Sequence, residues 1–567
     1  MNHLSIFRRA ISSLVVILPS CVAQESASSH KPPRVVVMCS VDQLASWVFD
    51  QSLPHFGEGG FRRLLREGVQ FAECAYLQGC TETGPGHATL GTGAPANVHG
   101  IVHNEWYDEV EKKRVYCAGE PVAALAEFPE GKDRGPARLL VPTLGDLLKQ
   151  KNPAARLVSV SAKDRSAILM AGGSADSVTW YDYSTGRFVT NTRWCKEAPK
   201  WLLDFNQAPA ADAYFGWQWT RTGPDKAYAD CVDDQPFEAA HLGSGGRTLP
   251  ATLKGKPEAV LPAKEFYLEV YISPAVNELT LRAAKASCLA NQVGEDDVTD
   301  LLCLSFSATD TIGHAFGPES VEARDGLLRL DALLAELLLW LDARVGRGNY
   351  TFLLSADHGV GHSPEWVKQN GGDGGRGLLH TMARGAAENA LKEHFAAAKV
   401  EGAFVAQASE FSLVLDRERV VAAALAMGKT DAAAAFWQAC EIAAQAAAKS
   451  KGVQQAFVTE KLVQGGATGD PISRAMFYAA RTDRAGDVLL VLKPNWLEGT
   501  YAASHGSPYD YDRRVPLLAM GPGLARGTVS QAKVSPGLMT VIAAKALVVP
   551  TLKVATDTIP AEALQQR

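Results

Sequence analysis

The sequence predicts an α/β fold: a doubly wound, mostly parallel sheet with helices on both faces, interrupted by cap insertions. Three observations predict it. Four short apolar runs, "RVVVMCSVDQ" (34–43), "RLVSVSAKDR" (156–165), "LLCLSFSATD" (301–310) and "YTFLLSADHG" (350–359), lack clean alternation and end in polar residues. That is the pattern of central strands covered on both faces. Between the last two lies "DGLLRLDALLAELLLWLDARVG", where Leu327, Leu330, Leu333, Leu334, Leu337, Leu338 and Leu341 fall on one helical face. Strand, helix, strand is the unit of a doubly wound sheet. Third, Asp42, Asp310 and the pair Asp357–His358 follow apolar runs, and in such sheets functional groups gather beyond the carboxyl ends of the strands.

Taken in order, the chain opens with "MNHLSIFRRAISSLVVILPSCVAQ". Arg8 and Arg9 precede an apolar stretch too short to span a bilayer, and small residues follow, as in an export signal. Residues 1–23 are expected to be a signal peptide cleaved near Ala23, with lipid attachment at Cys21 through "LPSC" as the alternative. The mature protein is therefore expected to be periplasmic or secreted. Polar residues 24–33 read as a linker. The core is expected over 34–170, 276–364 and 486–550, resuming at "GDVLLVLKPNW" and "RRVPLLAMGPG". Residues 171–275, rich in Trp, Tyr and polar side chains, read as a cap insertion. Residues 365–485, with the alanine-rich "DAAAAFWQACEIAAQAAAKSKG", read as a helical insertion. No other apolar stretch reaches membrane length, so no transmembrane helix is expected in the mature chain.

Composition sets the function classes. With 567 residues, 47% hydrophobic and 21% charged, the chain has ample material for a large core and is not a disordered one. A formal net charge of -6 gives no sign of a nucleic-acid partner, which calls for a basic excess. It does not exclude an anionic substrate, because cations inside a cleft dominate locally. Ten cysteines suit an oxidising compartment without making a dense disulfide framework. Cys39 and Cys303 read as buried thiols, whereas Cys74, Cys80, Cys117, Cys195 and Cys231 are free to pair. No C-x-x-C pattern occurs, so any metal has to be held by histidine and carboxylate.

Those ligands are present. "TDTIGH" offers Asp310 and His314 four apart, able to meet one ion if the segment turns helically. "ADHG" offers Asp357 and His358, and "ASHGSPYDYD" offers His505. With Asp42 they make three carboxylates and three imidazoles, a donor set that suits zinc and also admits manganese or iron. Read singly, Asp42 is a helix cap, His314 a surface residue and His505 a loop residue. Their shared place at strand ends argues for a joint role. His87 and His99 sit in glycine-rich turns and read as structural, and His362, four after His358, is the rival ligand.

Six blocks carry a resemblance: "VDQ" (41–43), "TETGPGHATLGTGAPANVHGIVHNEWYD" (81–108), "SAKDRSAIL" (161–169), "TDTIGH", "ADHG" and "SHGSPYDYDRRVPLL" (504–518). In this order they resemble the alkaline phosphatase superfamily, and within it the PafA-type alkaline phosphatases, relatives of the nucleotide pyrophosphatase/phosphodiesterases. The resemblance implies two Zn2+ ions. One would be held by Asp310, His314 and His505, the other by Asp42, Asp357 and His358, with the nucleophile also bound to the second. The family nucleophile stands four before the histidine of the glycine-rich block, which is Thr83 here, leaving Thr81 and Thr89 structural. It further implies a small phosphate ester substrate, phosphoryl binding by Asn104, Lys163 and Arg165, and hydrolysis through a phosphothreonine. Zinc would make Thr83 reactive. Lys163 and Arg165, two apart, would share a face if strand geometry persists, and they favour a monoesterase over the diesterases, which generally lack the pair. The sulfatases of the same superfamily are a poor match, since "CTETG" lacks their arginine.

Overall fold

Uninterrupted burial, rather than alternation, marks the interior strands of this protein. A computed structural model describes residues 31–207 and 209–565. The export signal, its cleavage near Ala23 and the alternative anchor at Cys21 lie outside the described residues. The main sheet has nine strands: β1 (Val35–Val41), β2 (Val69–Cys74), β3 (Leu157–Ser161), β4 (Ser177–Asp182), β5 (Arg187–Val189), β6 (Asp300–Phe306), β7 (Tyr350–Ser355), β8 (Leu518–Met520) and β9 (Thr528–Val534). Their order is β9-β2-β8-β7-β1-β6-β3-β4-β5. The five central strands β7-β1-β6-β3-β4 are all parallel. Only β8 and β5 run against the rest. Every residue of β1, β3, β6 and β7 is buried, which requires cover on both faces.

Helices supply that cover. α1 (Thr83–Thr92), α2 (Asp164–Ala171) and the helix Leu538–Ala546 pack together, while Ala275–Ala290, Phe61–Glu67 and the long helix Val321–Val345 form a second group. All seven leucines that define the apolar stripe of Val321–Val345 are buried. The fold class expected from the sequence is the one observed. Among the described residues no helix is long and apolar enough to cross a membrane, and every cysteine is a free thiol. Cys39 and Cys303 are fully buried, and none of the five cysteines free to pair does so.

Two expected boundaries shift. Residues 177–189 do not belong to a cap: β4 pairs parallel with β3, and β5 turns back against β4, so the stretch extends the main sheet. Its aromatic residues Trp180 and Tyr181 are buried in the main core. At the other end, Val488–Leu492 does not return to the main sheet. It pairs antiparallel with Ser412–Leu415 and Val453–Val458, closing a four-stranded sheet with Val405–Ala408. The 365–485 segment is thus not purely helical. Together with Val488–Leu492 it builds a separate core, in which Phe436, Leu413 and Val488 pack together.

Candidate active site

Adjacent strands β7, β1, β6 and β3 all end at one edge of the sheet, and the predicted residues follow those ends. Asp42 directly follows β1, and Asp357 stands two after β7. Asp310 and His314 lie on the helix Ala308–Phe316 after β6, where the helical turn sets His314 Nε2 3.2 Å from Asp310 Oδ1. His505 comes from a loop, with its Nε2 3.5 Å from Asp310 Oδ1. His358 Nε2 lies 3.5 Å from Asp42 Oδ1 and 3.4 Å from Asp357 Oδ2. The rings of His358 and His505 stack with centroids 3.6 Å apart.

All three histidines are aimed the same way. Nδ1 of His314 faces the Ala503 carbonyl at 2.9 Å, Nδ1 of His358 the Gly359 carbonyl at 2.9 Å, and Nδ1 of His505 the Thr81 carbonyl at 2.7 Å. A carbonyl can only accept, so Nδ1 carries the proton and Nε2 keeps its lone pair facing inward. Burial, with the neighbouring His505 adding to it, pushes His358 down to about 3, so this imidazole is neutral. Burial, then the nearby Asp357 carboxylate, raises Asp42 well above the usual range. For Asp310 burial pushes upward, but the Lys163 ammonium and then His314 outweigh it and hold the carboxyl low.

The arrangement fits metal ions. Both oxygens of Asp42, Asp357 Oδ2 and His358 Nε2 are buried without a hydrogen-bond partner, a costly state unless a cation satisfies it. Asp42 Oδ2 does meet Lys163 Nζ at 2.6 Å as an ion pair, without hydrogen-bond geometry. Among the described residues, two sets have ligand atoms within 4.8 Å of one another: Asp42, Asp357 and His358, and Asp310, His358 and His505. His358 therefore faces both. His314 stands at the outer side, 20% exposed against 9% for His505 and 0% for His358. Neither His314 nor the rival His362 is in either set, but His314 Nε2 stays 3.2 Å from Asp310 Oδ1 whereas His362 is held elsewhere. Its Nδ1 is 2.7 Å from Glu319 Oε1, and its ring lies against Trp47 and Trp366.

Thr83 is the first residue of α1. Helix N-terminal N–H groups favour an anion there. Its Oγ1 accepts from Lys163 Nζ at 3.4 Å and Arg165 Nη2 at 3.3 Å. Strand geometry is not what brings these two together. β3 ends at Ser161, Lys163 is the N-cap of α2 and Arg165 lies in its first turn. The chain turns between them, and Asp164 points elsewhere, accepting from Tyr116 Oη and Arg134 Nε. Lys163 Nζ also reaches Asp310 Oδ2 at 2.5 Å. Asn104 accepts the Gly84 N–H at 2.7 Å through Oδ1, leaving its amide N–H groups as the donors it can offer a phosphoryl oxygen. Thr81 Oγ1 donates to the Ser507 carbonyl, and Thr89 Oγ1 accepts from Gln78.

The glycines of α1 answer to close approach. A Cβ on Gly86 would stand 2.0 Å from the Asp357 carbonyl oxygen. Gly→Ala inside a helix normally gains about 1 kcal/mol. Here the clash is with backbone, and overpacking of this kind costs about 1–3 kcal/mol or more. Gly86→Ala is therefore expected to lower the melting temperature and the metal content together, read by thermal denaturation and elemental analysis. An unchanged melting temperature would show that Asp357 does not need this approach.

Sequence reasoning missed Gln43 and Glu82, which hold the others, and placed His87, read as structural, in a turn rather than within α1. Gln43, left unassigned within "VDQ", has φ 65, a left-handed conformation uncommon outside glycine. It donates its backbone N–H to Asp357 Oδ1 at 3.0 Å and its side-chain Nε2 to Asp310 Oδ1 at 2.9 Å, tying the two sides of the site. His87 bonds the Thr83 carbonyl through Nδ1 and sits 3.2 Å from Asp357 Oδ2. Glu82, the N-cap of α1, pairs with His103 Nδ1 at 2.6 Å and accepts the Asn104 N–H. Adjacency to Asp42 and to Thr83 was the signal available for Gln43 and Glu82.

Comparison with known proteins agrees with this geometry. The family model for type I phosphodiesterase / nucleotide pyrophosphatase matches residues 36–505. Alkaline phosphatase PafA of Elizabethkingia meningoseptica is 30% identical over 530 residues, covering 91% of this chain and 92% of that protein. Alkaline phosphatase PhoV of Synechococcus elongatus is 30% identical over 536 residues, covering 92% of this chain and 93% of that protein. The crystal structure of wild-type PafA superposes with a TM-score of 0.83 at 28% identity, over 95% of this chain and 100% of that one. With buried unsatisfied carboxylates and an imidazole at the strand ends, and the match running through all the ligand-bearing segments, the chain belongs to the type I phosphodiesterase / nucleotide pyrophosphatase family and is a metal-dependent phosphoester hydrolase.

Proposed function

We propose that the protein is an exported phosphate monoester hydrolase that works through a threonine nucleophile and two zinc ions. The observation that carries the monoester reading is the convergence of Lys163 and Arg165 on Thr83 Oγ1, at 3.4 and 3.3 Å. A monoester dianion carries one more charged oxygen than a diester and gains more from two adjacent cations. The guanidinium can grip two phosphoryl oxygens and the ammonium adds a point charge. Export rests on the 1–23 signal, with a lipid anchor at Cys21 as its variant.

Asp310, His314 and His505 would hold one ion and Asp42, Asp357 and His358 the other. Zinc in such sites supplies Lewis acidity, lowering the pKa of a coordinated hydroxyl and offsetting charge on the phosphoryl group. The chain's own residues do the rest. A neutral threonine hydroxyl is a weak nucleophile until its proton is removed. Thr83 Oγ bonds to phosphorus as the bond to the leaving oxygen breaks, giving a phosphothreonine and a free alcohol. Water then attacks phosphorus from the vacated side, the Thr83–phosphorus bond breaks, and phosphate leaves with Thr83 restored. Throughout, Arg165, Lys163 and the Asn104 amide hold the non-bridging oxygens. The helix start at Thr83 turns its N–H groups toward the same charge.

Turnover of aryl phosphate monoester, aryl phosphate diester and aryl sulfate by the purified zinc-loaded protein is the test. Monoester kcat/KM is expected to exceed the other two by orders of magnitude. Chelation should abolish it and added zinc restore it. A larger kcat/KM for the diester would overturn the monoesterase reading, and full activity after exhaustive chelation would overturn the metal reading.

A further inference from the structure

We propose that Tyr501 is the floor of a leaving-group subsite, and that the protein prefers phosphoesters whose leaving group is a planar aromatic ring. The inference rests on the phosphoester reading above and deepens it. The six ligand side chains are not equally buried. Asp42, Asp357 and His358 are sealed, and access rises through Asp310 and His505 to His314 at 20%. The site therefore opens on the His314 side, and a leaving group that extends toward solvent passes there.

Tyr501 stands at that opening. Its ring centroid lies 4.9 Å from that of His314, yet the residue is 59% exposed. It belongs to none of the hydrophobic clusters among the described residues, so packing does not account for a large aromatic residue at this place. The backbone around it is held firmly. Ala502 N–H donates to the His314 carbonyl at 2.9 Å, and His314 Nδ1 bonds the Ala503 carbonyl at 2.9 Å. Arg376 Nη1 donates to the Tyr501 carbonyl at 2.6 Å, and Glu365 holds the same guanidinium with both oxygens. With its backbone anchored and its ring beside His314, Tyr501 has less freedom to lose on binding than a residue on a loose loop, which favours an aromatic platform. Ring stacking prefers an aromatic partner over an alkyl one of similar reach.

The experiment compares binding of phenylphosphonate and methylphosphonate, which share the phosphoryl-like end and carry no ester bond. Affinities for the zinc-loaded parent, Tyr501→Ala and Tyr501→Phe are read by titration calorimetry, and kcat/KM for phenyl phosphate and methyl phosphate in parallel. Tyr501→Ala is expected to lower the phenyl-to-methyl ratio about three- to tenfold in both measurements, and Tyr501→Phe to retain it within about twofold. An unchanged ratio in Tyr501→Ala overturns the subsite, as does a loss in Tyr501→Phe equal to that in Tyr501→Ala. Should the parent hydrolyse neither ester, the proposed function fails while the phosphonate ratio still decides the subsite.

Discussion

Thr83→Ala is expected to abolish phosphoenzyme formation and to lower monoester turnover by on the order of 10³-fold or more, the scale of nucleophile removal in other covalent catalysts. Structural loss is expected to be small. Among the described residues, the contacts to Oγ1 are the long ones from Lys163 and Arg165, while the Thr83 carbonyl, which His87 bonds, is retained in alanine. Lys163 keeps its stronger partners, Asp42 and Asp310. Acid-quenched transfer of labelled phosphate to the protein, with melting temperature and zinc content as controls, reads all three points. Normal turnover in Thr83→Ala would reject the nucleophile. Thr83→Ser, which restores the oxygen, is expected to recover labelled phosphoenzyme.

Removing both phosphoryl-facing cations should have the second largest effect. Lys163→Ala with Arg165→Ala is expected to reduce monoester kcat/KM by on the order of 10³-fold, from two charge-assisted contacts of about 1.5–3 kcal/mol each. Diesters are expected to lose at least about tenfold less. Equal losses would remove the basis for the monoester reading. Lys163 carries a second burden, because its side chain is 2% exposed between Asp42 and Asp310. Deleting one partner of a buried pair costs about 3–5 kcal/mol, so the metal-free double variant should melt earlier. Arg165→Ala alone leaves those carboxylates paired, and its monoester-to-diester ratio separates the two substrate classes without the stability loss.

Much of the fold was legible before the structure. The runs that became β1, β3, β6 and β7 are apolar at nearly every position because both faces of a central parallel strand are covered. The 25-residue helix Val321–Val345 announced itself by its leucine stripe. The strand-end acids and histidines were visible for the same reason: an apolar run that stops abruptly at Asp or His has a polar task at its end. Edge elements were harder to read. The segment 177–189 carries buried Trp180 and Tyr181 among polar residues, and that mixture reads as a cap until β3 is seen beside it. Val488–Leu492 is as apolar as a main-sheet strand, and nothing local says that its partners are Ser412–Leu415 and Val453–Val458.

The choice of Thr83 rested on the family resemblance, whereas residue chemistry and spacing were enough to indicate the α/β class and the candidate ligands. These depend on burial pattern and side-chain type, which are local properties of the chain. Three-dimensional packing alone established that β8 enters the sheet antiparallel, that His358 faces both ligand sets, and that Lys163 and Arg165 converge across a strand-to-helix turn. It also revealed Gln43 as the tie between Asp357 and Asp310, and Tyr501 at the open side. Each of these joins residues up to hundreds of positions apart, and a contact of that range is selected by the packing of the whole sheet rather than by any short stretch of sequence.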